Sequence, residues 1–307
     1  MFYIKTCQKA YTNIPKSILK FGLICDTIIV AFYKVVFIYL YKKRKIKVKT
    51  VEVLRIMTFN LRVDTPNDGI NQFSKRTDRV LEAIREEDPD IISFQEAKNG
   101  MRAFLRENLS QYAVLGGGRN KDYEGEGIPV AYREDMFELI EFSTKWLSDT
   151  PDVPGSRFED VDQSKYPRVY VLVKLRRISD NKIIAIVNTH TDHEGVKARI
   201  RESEQLLEVM KGISADAIIL TGDLNARPDS EEIKMLTADP ELKLIEASAC
   251  VESTFHNFGR RIPAWKIDYI FSTVPCKESH AVEDIPVNGV YISDHQPVVA
   301  DLCIDKD

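Results

Sequence analysis

The feature that most constrains the fold is a repeated change of period. From Val53 onward, apolar runs too short for helices alternate with segments whose apolar residues recur at helical spacing. The runs predict strands at 53–61, 90–95, 128–132, 168–176, 182–189, 217–222, 266–272 and 296–304. Helices are expected at 74–88, 99–109, 194–211 and 229–238; in the third, Val196, Ile200, Leu207 and Met210 form an apolar stripe, with the Glu and Arg residues facing water. Runs that alternate apolar and polar residues stand beside continuous ones, which predicts mixed, stacked sheets with helices outside. Two long polar connections, 116–127 (Gly-rich) and 151–167 (Pro-containing), are expected to form functional rims.

Composition narrows the class. Apolar residues at 44% and charged residues at 29% exclude wholesale disorder, a collagen-like chain and a polytopic membrane protein. Residues 1–50 carry ten Lys, one Arg and a single acid, Asp26, for a net +10; the chain's −4 therefore leaves −14 on the remainder. An acidic body disfavours long duplex nucleic acid as a partner, because binding by counterion release needs a basic face. Cys7, Cys25, Cys250, Cys276 and Cys303 are odd in number and lack C-x-x-C spacing, so neither a disulfide framework nor a zinc site is encoded, and buried thiols are expected.

Residues 23–41 read LICDTIIVAFYKVVFIYLY, about the length that crosses a bilayer core. This is the reading of a membrane anchor, flanked by a basic segment at 1–22 and a basic linker at 42–51; an interfacial helix on anionic lipid and a soluble helix are the alternatives. Lys34 near the centre weakens a span. The cluster Lys42, Lys43, Arg44, Lys45, Lys47 and Lys49 leans toward a cytoplasmic body.

Polar residues recur where the apolar runs stop. Asn60 follows RIMTF, Glu96 follows DIISFQ, His190 follows IIAIVNT, Asp223 and Asn225 follow AIILTG, Asp268 opens DYIF, and Asp294-His295 precedes QPVVA. Singly, each has a plain structural role; Asp223-x-Asn225, for example, makes an Asx turn that caps a helix. Jointly they are what a phosphoester-hydrolysing site requires. Carboxylates and amides suit a hard Mg²⁺ or Mn²⁺ ion, a carboxylate orients an attacking water, and imidazoles donate to oxygens that gain charge. Asp268 is suited to fixing the tautomer of His295.

The order of motifs carries a resemblance: TFNLR (58–62), QEA (95–97), PRVYVLVKL (167–175), NTHTDH (188–193), TGDLNARP (221–228), STFH (253–256), IDYIF (267–271) and SDHQPV (293–298). The stretch 53–304 closely resembles the endonuclease/exonuclease/phosphatase superfamily of DNase I-like phosphoesterases. Arg62, Asp64, Pro66, Asp68 and Gly69 match the R-x-D-x-P-x-D-G of its bacterial-type hydrolases. The resemblance implies a four-layer α/β/β/α sandwich with two central mixed sheets over 52–307. It implies a metal held mainly by Glu96 with Asn60 and Asp294 nearby, and an attacking water oriented or deprotonated by Asp223. Asn225 would position water and phosphate, His190 and His295 would contact the scissile phosphate, and Asp268 would support His295. Tyr132 and Arg168 fall at positions that would touch substrate, and Asp192 and His193 would form a supporting layer. The expected function is a monomeric, metal-dependent phosphodiesterase of small, single-stranded or membrane-associated esters. A nuclease, and a membrane-tethered binding module without catalysis, are the alternatives.

Overall fold

The computed structural model describes residues 53–304. The anchor expectation for 23–41 lies outside them; among the described residues no helix is long and apolar enough to cross a membrane.

Twelve strands form two six-stranded sheets. They are β1 Val53–Asn60, β2 Ile91–Gln95, β3 Tyr112–Leu115, β4 Val130–Arg133, β5 Phe137–Trp146, β6 Val169–Arg177, β7 Ile183–His190, β8 Ala217–Asp223, β9 Ile245–Glu246, β10 Asp268–Ser272, β11 Cys276–Ala281 and β12 Val298–Cys303. The first sheet has the order β11-β12-β1-β2-β4-β3 and the second β5-β6-β7-β8-β10-β9. Both are mixed, since β1 pairs parallel with β2 and β7 parallel with β8 while the remaining ladders are antiparallel.

Side-chain alternation explains the layering. Leu54, Ile56, Ile91, Val171, Val173, Ile184, Ile186, Ile219, Ile270 and Ala300 share one apolar core between the sheets. Their alternate neighbours Met57, Phe59, Ile92 and Phe94 pack with residues of α1 (Phe73–Glu87) and α2 (Asn99–Asn108). Ala185, Val187, Ile218, Leu220, Tyr269 and Phe271 pack with residues of α3 (Val196–Lys211) and α4 (Glu231–Ala238). The result is the four-layer α/β/β/α sandwich.

Two expectations are corrected. In α3, Val196 is exposed, whereas Arg199 and Glu202 are buried beside Ala198, Leu206, Leu207 and Met210. The inward charges are tolerated because the Arg199 guanidinium pairs with Glu232 at 2.7 Å and Glu202 accepts the Asp192 N–H at 2.8 Å. Among the described residues, Cys250 is exposed and Cys276 and Cys303 are half-buried, and these three are free; Cys7 and Cys25 lie outside the described residues.

The inter-sheet face changes character along the strands. Beyond the aliphatic residues come Thr58, Ser93, Gln95, Asn188 and Thr221, all buried. Gln95 Nε2 donates to Thr58 Oγ1 (3.1 Å) and Asn188 Oδ1 (2.9 Å), and Asn188 Nδ2 donates to the Phe94 and Ile128 carbonyls (2.9 and 3.1 Å). Thr221 Oγ1 and Ser93 Oγ lie 2.7 Å apart across the sheets. This polar layer, hydrogen-bonded except at Gln95 Oε1, fixes the two sheets against each other directly beneath Asn60, Glu96, His190 and Asp223.

Candidate active site

Strand register brings the candidates together. His190 is level with Asp223 across β7 and β8, and Asp223 with Asp268 across β8 and β10, so three chemically active side chains form one row. On the facing sheet Asn60 is level with Gln95, the residue before Glu96.

Asn60 joins the sheets. Its Nδ2 donates to Glu96 Oε1 (3.1 Å) and to Asp223 Oδ2 (2.9 Å), while its Oδ1 accepts the Arg62 N–H (2.8 Å). Glu96 Oε2 accepts the Val63 N–H at 2.7 Å. Although burial opposes ionisation, the charge of Arg62 and this N–H hold the Glu96 carboxyl below its ordinary range. The R-x-D-x-P-x-D-G segment has a local purpose: Arg62 grips Asp68 through two hydrogen bonds (3.0 and 3.2 Å), and its Nε lies 3.8 Å from Asp294 Oδ2.

The imidazoles stand on either side of Asp223. His190 Nε2 and His295 Nε2 lie 3.6 and 3.8 Å from Asp223 Oδ2. His295 Nδ1 is 2.8 Å from Asp268 Oδ2, and the two carboxylates around it, with Asp294, raise it to about 10 against its burial. Burial, together with Arg168 and Arg119, drives His190 the other way and keeps it neutral. Burial and the charge of Asp268 lift Asp223 to about 7, where a carboxylate can exchange a proton near neutrality.

Backbone geometry shows why the motifs have their spelling. Gly222 has φ 149°, and a Cβ there would lie 2.1 Å from the Thr189 carbonyl oxygen, so TGD admits only glycine. Glu96 and Asn225 adopt φ of 60° and 45°, left-handed conformations that cost free energy and turn both chains out of the strand direction toward the cleft. The Asx turn does form, with Asn225 N–H donating to Asp223 Oδ1 at 2.9 Å. It caps no helix: α4 begins at Glu231, and Asp223 keeps its other oxygen for the site.

Arg168 is 2% exposed and stands on the cleft wall, held by Asp192 Oδ2 (3.4 Å) and His193 Nδ1 (2.7 Å). Asp192 also accepts the Gly195 and Glu194 N–H groups, which with Ser164 pull it down to about 2 against burial. Tyr132 is not brought to the site. It is buried in the core between the sheets, because β4 directs it there alongside Val130.

The cleft encloses about 500 Å³. The two long connections line it as rims through Arg119, Glu126 and Tyr166, and the 253–267 segment contributes Phe255, Asn257 and Trp265. Phe255 falls within the STFH motif; the other rim residues carry no sequence signal, since no motif separates a rim arginine from any other.

Behind the site, Glu202 is fully buried, with Oε1 unpartnered, and burial pushes it up to about 7. An acid with a raised folded-state pKa binds more protons when folded, so its contribution is present below its unfolded pKa near 4.5 and is lost as pH rises through 7. Urea unfolding at pH 5 and pH 8 should show a fall in stability that Glu202→Gln reduces by roughly 2–3 kcal/mol. Equal pH dependence in the two proteins would reject this assignment.

A four-layer sandwich with carboxylates, amides and imidazoles gathered at one end of both sheets defines an α/β protein with a polar, hydrolase-type cleft. The family model described as Endonuclease/Exonuclease/phosphatase family matches residues 57–295, and the chain belongs to that family, a superfamily of metal-dependent phosphoesterases and nucleases. A Bacteroides vulgatus endonuclease/exonuclease/phosphatase superposes with TM-score 0.75 at 32% identity, covering 81% of this chain and 98% of that one. The Bacteroides thetaiotaomicron mannosyl-6-phosphatase superposes with TM-score 0.73 at 26% identity over 81% and 99% of the two chains. An uncharacterized protein of Acanthamoeba polyphaga mimivirus is 24% identical over 252 residues, 75% of this chain and 92% of that protein.

The donor set fits a divalent cation. Ligand atoms of Glu96, His190 and Asp223 all lie within 4.8 Å of one another. Two carboxylates from opposite sheets, held together by one amide, form a concentration of negative charge that a hard cation offsets.

Proposed function

We propose that this protein hydrolyses phosphoesters of small organic alcohols, with Glu96, Asp223 and Asp294 holding Mg²⁺ or Mn²⁺. The observation that carries this reading is the placement of both imidazoles within 3.8 Å of one Asp223 oxygen whose partner carboxylate, Glu96, is reached through the same Asn60 amide. When bound, the cation supplies positive charge to the phosphoryl oxygens. Asp223 accepts the proton of the attacking water. Neutral His190 and the Asn225 side chain donate to the phosphoryl oxygens. His295, kept protonated by Asp268, stabilises the oxygen that gains charge as the ester bond breaks.

A cleft of about 500 Å³ on a body of net −14 supports a small substrate over a long duplex. The likeness to a protein described as a mannosyl-6-phosphatase agrees with this. The test is ester hydrolysis by the full chain on a small monoester, a small diester, an oligonucleotide and duplex DNA. Chelator should abolish turnover, Mg²⁺ or Mn²⁺ should restore it, and the small esters should exceed the duplex in kcat/KM by about tenfold or more. Turnover that survives chelation overturns the mechanism, and preference for the duplex favours the nuclease alternative.

A further inference from the structure

Among the described residues the two sheets end at β11, β3, β5 and β9. β9 has two residues, β3 has four, and β11 is the polar run CKESHA. β5 is different: it has ten residues and leaves Leu139, Ile140 and Phe142 between 41 and 44% exposed. A long sheet edge that carries exposed apolar side chains is a template for a further strand.

The outward backbone groups of β5 follow from its hydrogen bonds. Leu147 N–H donates to the Arg168 carbonyl at 2.8 Å, on the β6 side, whereas Trp146 N–H turns the other way, to the Pro151 carbonyl at 3.0 Å. Alternation along the regular part of the β5–β6 ladder therefore turns the backbone groups of Ser143 and Lys145 toward β6 and those of Phe142 and Thr144 away from it. The Pro151 bond closes this outward row at one end, and the bulge between Leu139 and Glu141 closes it at the other.

A second copy of β5 that engages both outward residues has one antiparallel register. Phe142 stands opposite Thr144 of the second copy, and Ser143 meets its own counterpart on the two-fold axis. The same register sets Glu141 opposite Lys145 of the second copy, and by symmetry does so at both ends. Lys145 touches Asp152 of its own chain and keeps 35% of its side chain exposed. Backbone pairing and charge complementarity thus select one alignment.

We propose that β5 is a homodimer interface, joining two copies of this chain edge to edge through residues 141–145, in place of the monomer expected from sequence. The proposal is independent of the hydrolase reading. Sedimentation equilibrium of the full chain should return a dimer. Glu141→Lys and Lys145→Glu should each weaken it by about tenfold or more, because each substitution sets like charges against one another at both ends. Mixing the two folded variants should restore the dimer, since the mixed pair is complementary at both ends.

Ser143→Cys reads the register directly. Across a non-hydrogen-bonded pair the Cα atoms stand about 4.5 Å apart, within disulfide reach, whereas the two copies of residue 145 are separated by about 13 Å along the strands. Under oxidised glutathione, Ser143→Cys should give a disulfide-linked dimer, and Lys145→Cys should give no more than the unmutated protein. A monomeric full chain, a dimer indifferent to both charge reversals, no recovery on mixing, or equal cross-linking at 143 and 145 would each overturn the assignment.

Discussion

Replacing Asp223 by Asn should lower kcat for phosphoester hydrolysis by about 10³-fold or more while leaving the fold intact. The amide is isosteric and its oxygen can still accept the Asn225 N–H that closes the turn at 2.9 Å. What disappears is the proposed proton acceptor between His190 and His295 and one carboxylate of the proposed cation site. A second expectation separates chemistry from damage. Burial and the charge of Asp268 disfavour an ionised Asp223, so its removal relieves a like-charge contact. That relief offsets the loss of the acceptor for the Asn60 Nδ2–H at 2.9 Å, so Asp223→Asn should unfold within a few degrees of the unmutated protein near pH 8. Steady-state kinetics beside thermal unfolding checks both. A variant keeping a tenth of its activity would remove Asp223 from the central role, and one that is inactive because it unfolds would leave the chemistry to be read from His295→Ala.

Much of this arrangement was legible in the residues. All eight strands read from apolar runs are present, because burial on both faces of a central strand gives a nearly continuous apolar signal. The strands that escaped are those without it: β5 exposes Leu139, Ile140 and Phe142 on an edge, β9 has two residues, β11 is the polar run CKESHA, and β3 has four residues of which only Val114 is buried. The α3 stripe failed for a related reason. Burial of Arg199 and Glu202 depends on partners distant in sequence, and hydropathy alone places both residues outside. At the site, the strand-end residues could be named from sequence because register carries them to a single level. Tyr132 sits on a strand near the same end, yet the alternation of β4 sends it into the core. Trp265 and Arg119 come from loops whose course no local pattern specifies.

What holds the strand-end loops in place leads to the last expectation, that Arg76→Met should cost about 3–5 kcal/mol in stability. Arg76 projects from α1 and is 0% exposed. Its guanidinium donates to the carbonyls of Asn71 (2.9 Å), Ile292 (2.6 Å), Leu61 and Arg62 (2.9 Å). Burial lowers it only to about 10, so it carries its charge at neutral pH. A single planar fork thus ties the segment after Asn60 to the segment before Asp294, and methionine would leave four buried carbonyls without these donors. Lysine restores the charge but not the fork, because three donors on one nitrogen cannot span acceptors on separate loops. Arg76→Lys should accordingly stay folded yet bind Mn²⁺ about tenfold more weakly by calorimetry, since Asn60 and Asp294 are no longer held in register. Urea unfolding of Arg76→Met within 1 kcal/mol of the unmutated protein would show that the carbonyls find other donors. Unchanged Mn²⁺ affinity in Arg76→Lys would show that the loops keep their places by packing alone. The expected pair of results would instead make this buried arginine the element through which helix α1 sets the geometry of the proposed cation site.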